Sequence, residues 1–491
     1  MRLSQLIPAA CIGLTIAASA QSPVYFNEAF GKPTEADLAQ AVLPVPDGYL
    51  VVGSSGYPNL DPWLFKVNLE GQLLWEKMLP VGPYNDYGGE MVMGLDSTYL
   101  LISGISRYSS TLKYSGYLLR YDFDSGIAWT KFYTPDTNEY NGIFTMLRSS
   151  DGNILMAGSA QRNSAGDSQV FLVKVNEEGD TIWQRLYGTS RWETILDVVE
   201  TDGGFLLGGY ARTMSTGDRD ILLIGMNELG EQQWVKYHGG NWNDWGGAIT
   251  SSVEGGFLVI GHRQTVKGQS WTQDWYRPWM IKVDEIGDIE WEQLLGDDTL
   301  TEGSLHGTVI QLLDSSYVAI GGIDQGPQYY ALIHRVSPLG KTIWSRTYDR
   351  HPDQHDYFWS LEQTPDGGFI ICGSTWNTSQ DAWLIKLDEH GCNVPGCHLI
   401  DGTTEPRVQL YGSIVYPNPT SGVLTIELNR PAVNDAKFTI TDMLGKEMFG
   451  SVIQAQTTEW QLDMSSYPNG IYLLTLSGES VMHTVKVVKQ H

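Results

Sequence analysis

Cysteine is scarce in this chain, with four in 491 residues. That excludes a disulfide-built scaffold. Basic residues are also few: 31 Lys and Arg face 57 Asp and Glu, for a formal charge of −26. Without a cationic excess to displace condensed counterions, a nucleic-acid backbone is excluded as partner. After the N-terminus no apolar run approaches the roughly 18 residues of a membrane helix, so no transmembrane segment is expected. No sustained 3.6-residue hydrophobic period occurs, which argues against a helical architecture. The chain also lacks a nucleophile elbow, a Walker loop and a zincin helix.

What it has is glycine (54 residues), aromatic side chains (11%) and repetition. A short apolar run ending in Gly returns seven times, at Gly53, Gly104, Gly158, Gly209, Gly261, Gly321 and Gly373. A run such as Trp63-Leu-Phe-Lys-Val-Asn68 or Trp383-Leu-Ile-Lys-Leu-Asp388 follows, then a Gly turn and a Trp, as in Gly179 to Trp183. In the second copy this last spacing is one residue shorter, Gly126 to Trp129. Runs of four to six residues bounded by Gly or Asp are strands. The innermost strand of each unit precedes the Asp-Gly turn, as Ile195–Glu200 does. Four strands in a unit of about 53 residues make a propeller blade. The fold class is therefore all-β, a seven-bladed β-propeller with four-stranded blades.

The seventh unit lacks its Trp strand, and Val24–Gly31 at the N-terminus resembles the missing piece. The N-terminal strand is thus expected to close the last blade beside residues 383–388 and hide two open edges. The recurrent Trp residues are read as packing between blades, each burying roughly 150–250 Å². Their Asp/Asn-x-x-Gly-x-x-x-Trp rhythm resembles the tryptophan-docking repeat of quinoprotein dehydrogenases, a resemblance confined to blade architecture.

Arg2, the apolar stretch Leu6–Ala18 and the small-residue site Ala18-Ser19-Ala20 read as a signal peptide over residues 1–20. The propeller is expected over 21–400, a linker over 401–413 and a last domain over 414–491. Outside the cytoplasm Cys392 and Cys397 would close a local disulfide, with half a zinc site as the alternative; Cys372 reads as a buried small hydrophobe.

The alternating strands Val423–Leu428, Phe438–Thr441, Ile471–Leu476 and His483–Val488 suit a small Ig-like β-sandwich. Four motifs run through this segment in order: Tyr416-Pro-Asn-Pro419, Thr441-Asp-Met-Leu-Gly-Lys446, Leu462–Tyr472 and Val485–Lys489. Together they resemble the type A C-terminal sorting domain of the Bacteroidetes type IX secretion system. The resemblance implies export by that machinery through residues 414–491, and then release or attachment at the cell surface.

An acid, often beside an aromatic, precedes each innermost strand: Glu35, Asp86-Tyr87, Glu139-Tyr140, Trp192-Glu193, Asp244-Trp245, Glu302 and Asp356-Tyr357. Capping of backbone amides where the strand begins is the plainer explanation. The functional one is a rim that attracts sugars or cations, with calcium as the candidate ion and no other cofactor expected. Trp271 and Trp275, in an insertion of the fifth blade, are a second candidate contact surface. His351 and His355 read as a solvated loop, not a metal site. A non-enzymatic binding or adhesion module for a glycan or protein is preferred. The alternative is an extracellular polysaccharide hydrolase or lyase using rim carboxylates as acid and base.

Overall fold

The computed structural model describes residues 25–56, 58–107, 113–135, 140–161, 168–188, 192–212, 218–266, 275–295, 302–324, 329–351, 354–377, 379–394, 397, 413–416, 420–428, 436–442, 446–453, 459–477 and 482–489. The expected signal peptide and nearly all of the expected linker lie outside these residues. Every regular element of the described residues longer than a single turn is a β-strand.

Seven antiparallel sheets resembling propeller blades follow one another between Phe26 and Leu387. The first is typical: Leu38–Val45, Gly48–Ser55, Asp61–Val67 and Leu73–Met78 in sequential order. Its middle strands are buried along almost their whole length, whereas Leu73–Met78 is mostly exposed and forms the outer edge. The sixth sheet departs from this plan. Its inner strand is split into Glu302–Ser304 and Val309–Gln311, giving five strands, with His306 in the break.

Phe26–Phe30 pairs antiparallel with Gln380–Leu387, Phe26 opposite Lys386 and Phe30 opposite Ala382. The chain's start thus supplies the outer strand of the seventh sheet. Phe26 sits in the same register as the repeat Trp residues: Trp75 opposes Lys66, Trp183 opposes Lys174 and Trp291 opposes Lys282.

Those Trp side chains reach forward to the next sheet. A Cβ placed on Gly179 would lie 2.7 Å from the Trp129 ring, and one on Gly230 2.7 Å from Trp183. Gly287, Gly340 and Gly391 meet Trp234, Trp291 and Trp344 in the same way, and Gly71 meets Phe26. These glycines have φ between +71° and +82°, where a Cβ is disfavoured. The turn is held from inside. Oδ1 of Asn68 accepts the amides of Glu70 and Gln72, and Asn227, Asp284 and Asp388 repeat this. The Asp/Asn-x-x-Gly spacing is therefore an Asx turn whose glycine makes room for the previous sheet's Trp.

Apolar cores lie between neighbouring sheets. One joins Val51 and Phe65 of the first to Ile370 and Leu384 of the seventh, Cys372 among them. Another joins Val318 and Ile333 of the sixth to Phe369 and Ile385 of the seventh. In the C-terminal segment two sheets, one of Ser413–Tyr416, Val423–Leu428 and Glu459–Asp463, the other of Glu447–Ile453, Ala436–Asp442, Gly470–Ser477 and Met482–Lys489, share one core around Phe438, Ile426 and Leu474. Cys392 and Cys397 are disulfide-bonded.

Candidate functional site

The acids that begin the inner strands turn into the protein. Asp86, Glu193, Asp244 and Asp356 are at most 3% exposed. Asp86 accepts the amides of Val81 and Gly82, in the loop arriving from the first sheet's outer strand. Asp244 accepts those of Gly240 and Gln264, and Asp356 that of Arg350. Glu193 lies against Gly188. Burial raises the pKa of Asp86, and brings Asp244 and Asp356 to about 6. In the first sheet this role falls to Asp37, which accepts the Lys32 amide at 2.8 Å, whereas Glu35 pairs with the Lys32 side chain.

These carboxylates tie loops to strands, and the aromatic beside each is placed differently. The reason is the two-residue period of a strand. An acid and the aromatic beside it point to opposite faces, so an inward Asp244 leaves Trp245 on the other side.

The aromatic partners are all half-buried, and they assemble. Trp245 stacks on Tyr210 (centroids 5.2 Å apart, planes 14°) and on His262 (5.6 Å), and His262 meets Tyr276 edge-on at 4.8 Å. In the sixth and seventh sheets Tyr357 stacks on Tyr329 at 5.1 Å and lies 6.0 Å from Trp359, while His306 lies 4.9 Å from Trp359. Trp359 is 38% exposed and sits in a β-bulge, where the register shifts between Phe358 and Ser360 and a side chain is re-aimed. Tyr140 packs on Tyr114 at 5.3 Å, and burial, then Tyr114, Tyr210 and Tyr87, raises its pKa. The hydroxyl of Tyr87 accepts from Asn85 at 3.4 Å.

Cations border this aromatic arc. The Arg219 guanidinium lies 4.7 Å from the centroid of Trp245, 5.4 Å from Tyr210 and 5.9 Å from Trp192. Arg212 lies 5.4 Å from Trp192. His262 donates or accepts at Ser304 Oγ, 2.7 Å from its Nδ1. Burial, then the charges of His306 and Arg219, pushes His262 down to about 3, and burial pushes His306 down to about 4. Both imidazoles are neutral at physiological pH.

Deeper along the inner strands Glu90, Asp197 and Glu362 influence one another. Burial, then Asp197 and Glu362, raises Glu90 to about 8, and burial brings Asp197 to about 6 and Glu362 to about 7. Among the described residues no group of three or more His, Cys, Asp or Glu side chains is placed to hold a metal ion. His355 does not converge with His351 on an ion; its Nδ1 accepts the Tyr329 amide at 3.1 Å. Glu139 and Trp271 lie outside the described residues, and Glu302 is described only as the start of its strand. Trp275 opposes Val266 in a hairpin of the fifth sheet, next in sequence to Tyr276. At the opposite strand ends the glycine turns of the third to fifth sheets, at Asp151-Gly152, Asp202-Gly203 and Glu254-Gly255, border a groove of about 1060 Å³ that Lys174, Glu200, Trp183 and Trp234 help line.

Residues 414–490 match the family of secretion system C-terminal sorting domains. No curated protein matches the chain. Among solved structures it is similar to the β-propeller domain of the trilobed protease of Pyrococcus furiosus, at 8% identity and TM-score 0.41, over 72% of this chain and 94% of that one. Drosophila semaphorin 2a is similar at 8% identity and TM-score 0.45, over 95% and 98%. An acylaminoacyl peptidase of Pyrococcus horikoshii matches at 9% identity and TM-score 0.39, over 83% of this chain and 59% of that one. The chain thus spans less than two thirds of that peptidase. Residues 414–490 thus form a type IX secretion sorting domain, which implies export by that system and a Bacteroidetes origin, and the chain carries it behind propeller-like β-sheets.

Proposed function

We propose that the protein is a glycan-binding module displayed at or released from the cell surface. In this reading the seven sheets close as a seven-bladed propeller over 21–400, after a signal peptide at 1–20. A linker at 401–413 leads to an Ig-like sorting domain at 414–491, which the type IX machinery recognises. Closure is supported by the Phe26–Phe30 pairing and by the core shared between the first and seventh sheets.

The observation that carries the binding reading is the arc of Tyr210, Trp245, His262, Trp359, Tyr357 and Tyr329. Within each of its two halves, Tyr210–Trp245–His262 and Tyr329–Tyr357–Trp359, the rings hold one another in place, so a ligand meets surfaces ordered in advance. Aromatic faces accept the C–H faces of sugars, and neutral imidazoles offer hydrogen bonds to hydroxyls without a desolvated charge. Binding is favoured over hydrolysis because the rim carboxylates are committed to loop amides.

The test is an oligosaccharide array probed with mature protein, followed by titration of any hit against Trp245→Ala and Tyr357→Ala. Each variant is expected to weaken binding at least tenfold with little change in melting temperature, about the loss of one stacked contact. Hits that bind both variants as tightly as the parent would defeat the assignment.

A further inference from the structure

Resting on the glycan reading above, we propose that the arc is selective for acidic sugars, with Arg219 and Arg212 receiving a uronate carboxylate beside Trp192 and Trp245.

Two guanidinium groups flank the Trp192 ring, Arg212 at 5.4 Å and Arg219 at 5.9 Å. Among the described residues neither forms an ion pair or a side-chain hydrogen bond, unlike Arg263, which reaches Glu292 at 3.2 Å, and Arg335, which reaches Asp314 at 2.7 Å. Arg219 meets the rings of Tyr210 and Trp245 through its cationic carbon at 5.4 and 4.7 Å, and such contacts do not consume guanidinium hydrogen-bond donors. A planar fork of donors fits a planar carboxylate in two parallel hydrogen bonds, and less well a lone hydroxyl.

Two of the acids near these arginines are held back, while Asp218 adjoins Arg219 in sequence and its charge acts on both of those acids. Asp244 is turned toward the Gly240 and Gln264 amides, and Asp220 is 9% exposed. Burial, then the charge of Asp244, raises Asp220 to about 6. The net charge of −26 does not forbid an anionic ligand, because at physiological salt the field of distant charges is screened beyond about 8 Å. From Arg219 the stacked rings continue through Trp245 to His262, a path for the sugars adjoining the uronate.

The experiment titrates mature protein with hexagalacturonate and hexamannuronate, each as free acid and as full methyl ester, with cellohexaose and xylohexaose as neutral comparators. Esterification removes the charge and adds one methyl group, leaving the sugar ring and its hydroxyls as they were. At least one free acid is expected to bind about tenfold tighter than its ester, as for a charge-assisted pair. Arg219→Gln should weaken free-acid binding much more than ester binding and so bring that ratio close to one. Arg219→Lys should restore part of it, and Trp245→Ala should weaken acid and ester alike. Equal affinity for acid and ester overturns the inference, as does an Arg219→Gln loss that is the same for both. Binding of the neutral hexasaccharides alone removes the acidic selectivity and leaves the glycan reading standing. Binding of none of the six defeats both.

Discussion

A Cβ on Gly287, where φ is +82°, would lie 2.7 Å from the Trp234 ring. Gly126 has a similar φ of +85°, but nothing stands within 4 Å of its Cβ. The difference follows from the shortened second repeat, in which the turn glycine does not meet the previous sheet's Trp. Gly126→Ala should therefore cost about 1 kcal/mol, the backbone penalty alone. Gly287→Ala should cost about 2–4 kcal/mol, since packing strain adds to it. Urea unfolding of both variants measures the gap, and equal losses would contradict Trp docking at the turn. Asp86 makes a second case. Removing its carboxylate strands two loop amides, so Asp86→Ala should lower stability by about 1–3 kcal/mol. Sugar affinity should stay unchanged; a loss of affinity at constant melting temperature would return Asp86 to the binding surface. The sequence places both residue types correctly within the repeat. It does not show which way the Asp86 side chain points, because that depends on which strand face meets the neighbouring sheet.

At the scale of the strand, Phe26–Phe30 joins the two ends of the repeat region. Phe26 is 8% exposed, opposes Lys386 and packs on Gly71, the place a Trp holds in other sheets. Phe26→Ala should cost about 3–5 kcal/mol, as for a buried aromatic, and Phe26→Trp should keep most of the stability. Thermal melts of the two variants decide it, and an unaffected Phe26→Ala protein would mean that this strand does not hold the seam. The closing strand is legible in the sequence because the seventh unit lacks what the N-terminus supplies. The break in the sixth inner strand is not. Neither is the re-aiming of Trp359, because a one-residue bulge leaves the hydrophobic pattern almost unchanged. Strands Glu447–Ile453 and Glu459–Asp463 of the last segment were likewise unforeseen, since their alternation is weak.

The whole molecule adds a pH dependence that no single element has. Glu90, at about 8 when folded, holds a proton near pH 7 that the unfolded chain has released, whereas Glu362 is exposed and adds little. The Glu90 contribution is present at lower pH and is lost as pH rises through 8. The melting temperature should therefore rise by a few degrees from pH 8.5 to 6.5, and Glu90→Gln should remove much of that rise. Below pH 6.5 two sets of groups oppose each other: His262, His306 and His334, held at about 3 to 4, favour the unfolded chain as pH falls, whereas Asp197, Asp220, Asp244 and Asp356, at about 6, favour the folded one. The sequence by itself determined the repeat, the strands, the turn chemistry and the sorting domain, because each is written in local spacing and in the two-residue period of a strand. Only the tertiary structure decided that the acids turn inward and that Tyr210, Trp245, His262 and Arg219 meet. Those four come from separate strands of two sheets, and their proximity depends on how the sheets pack.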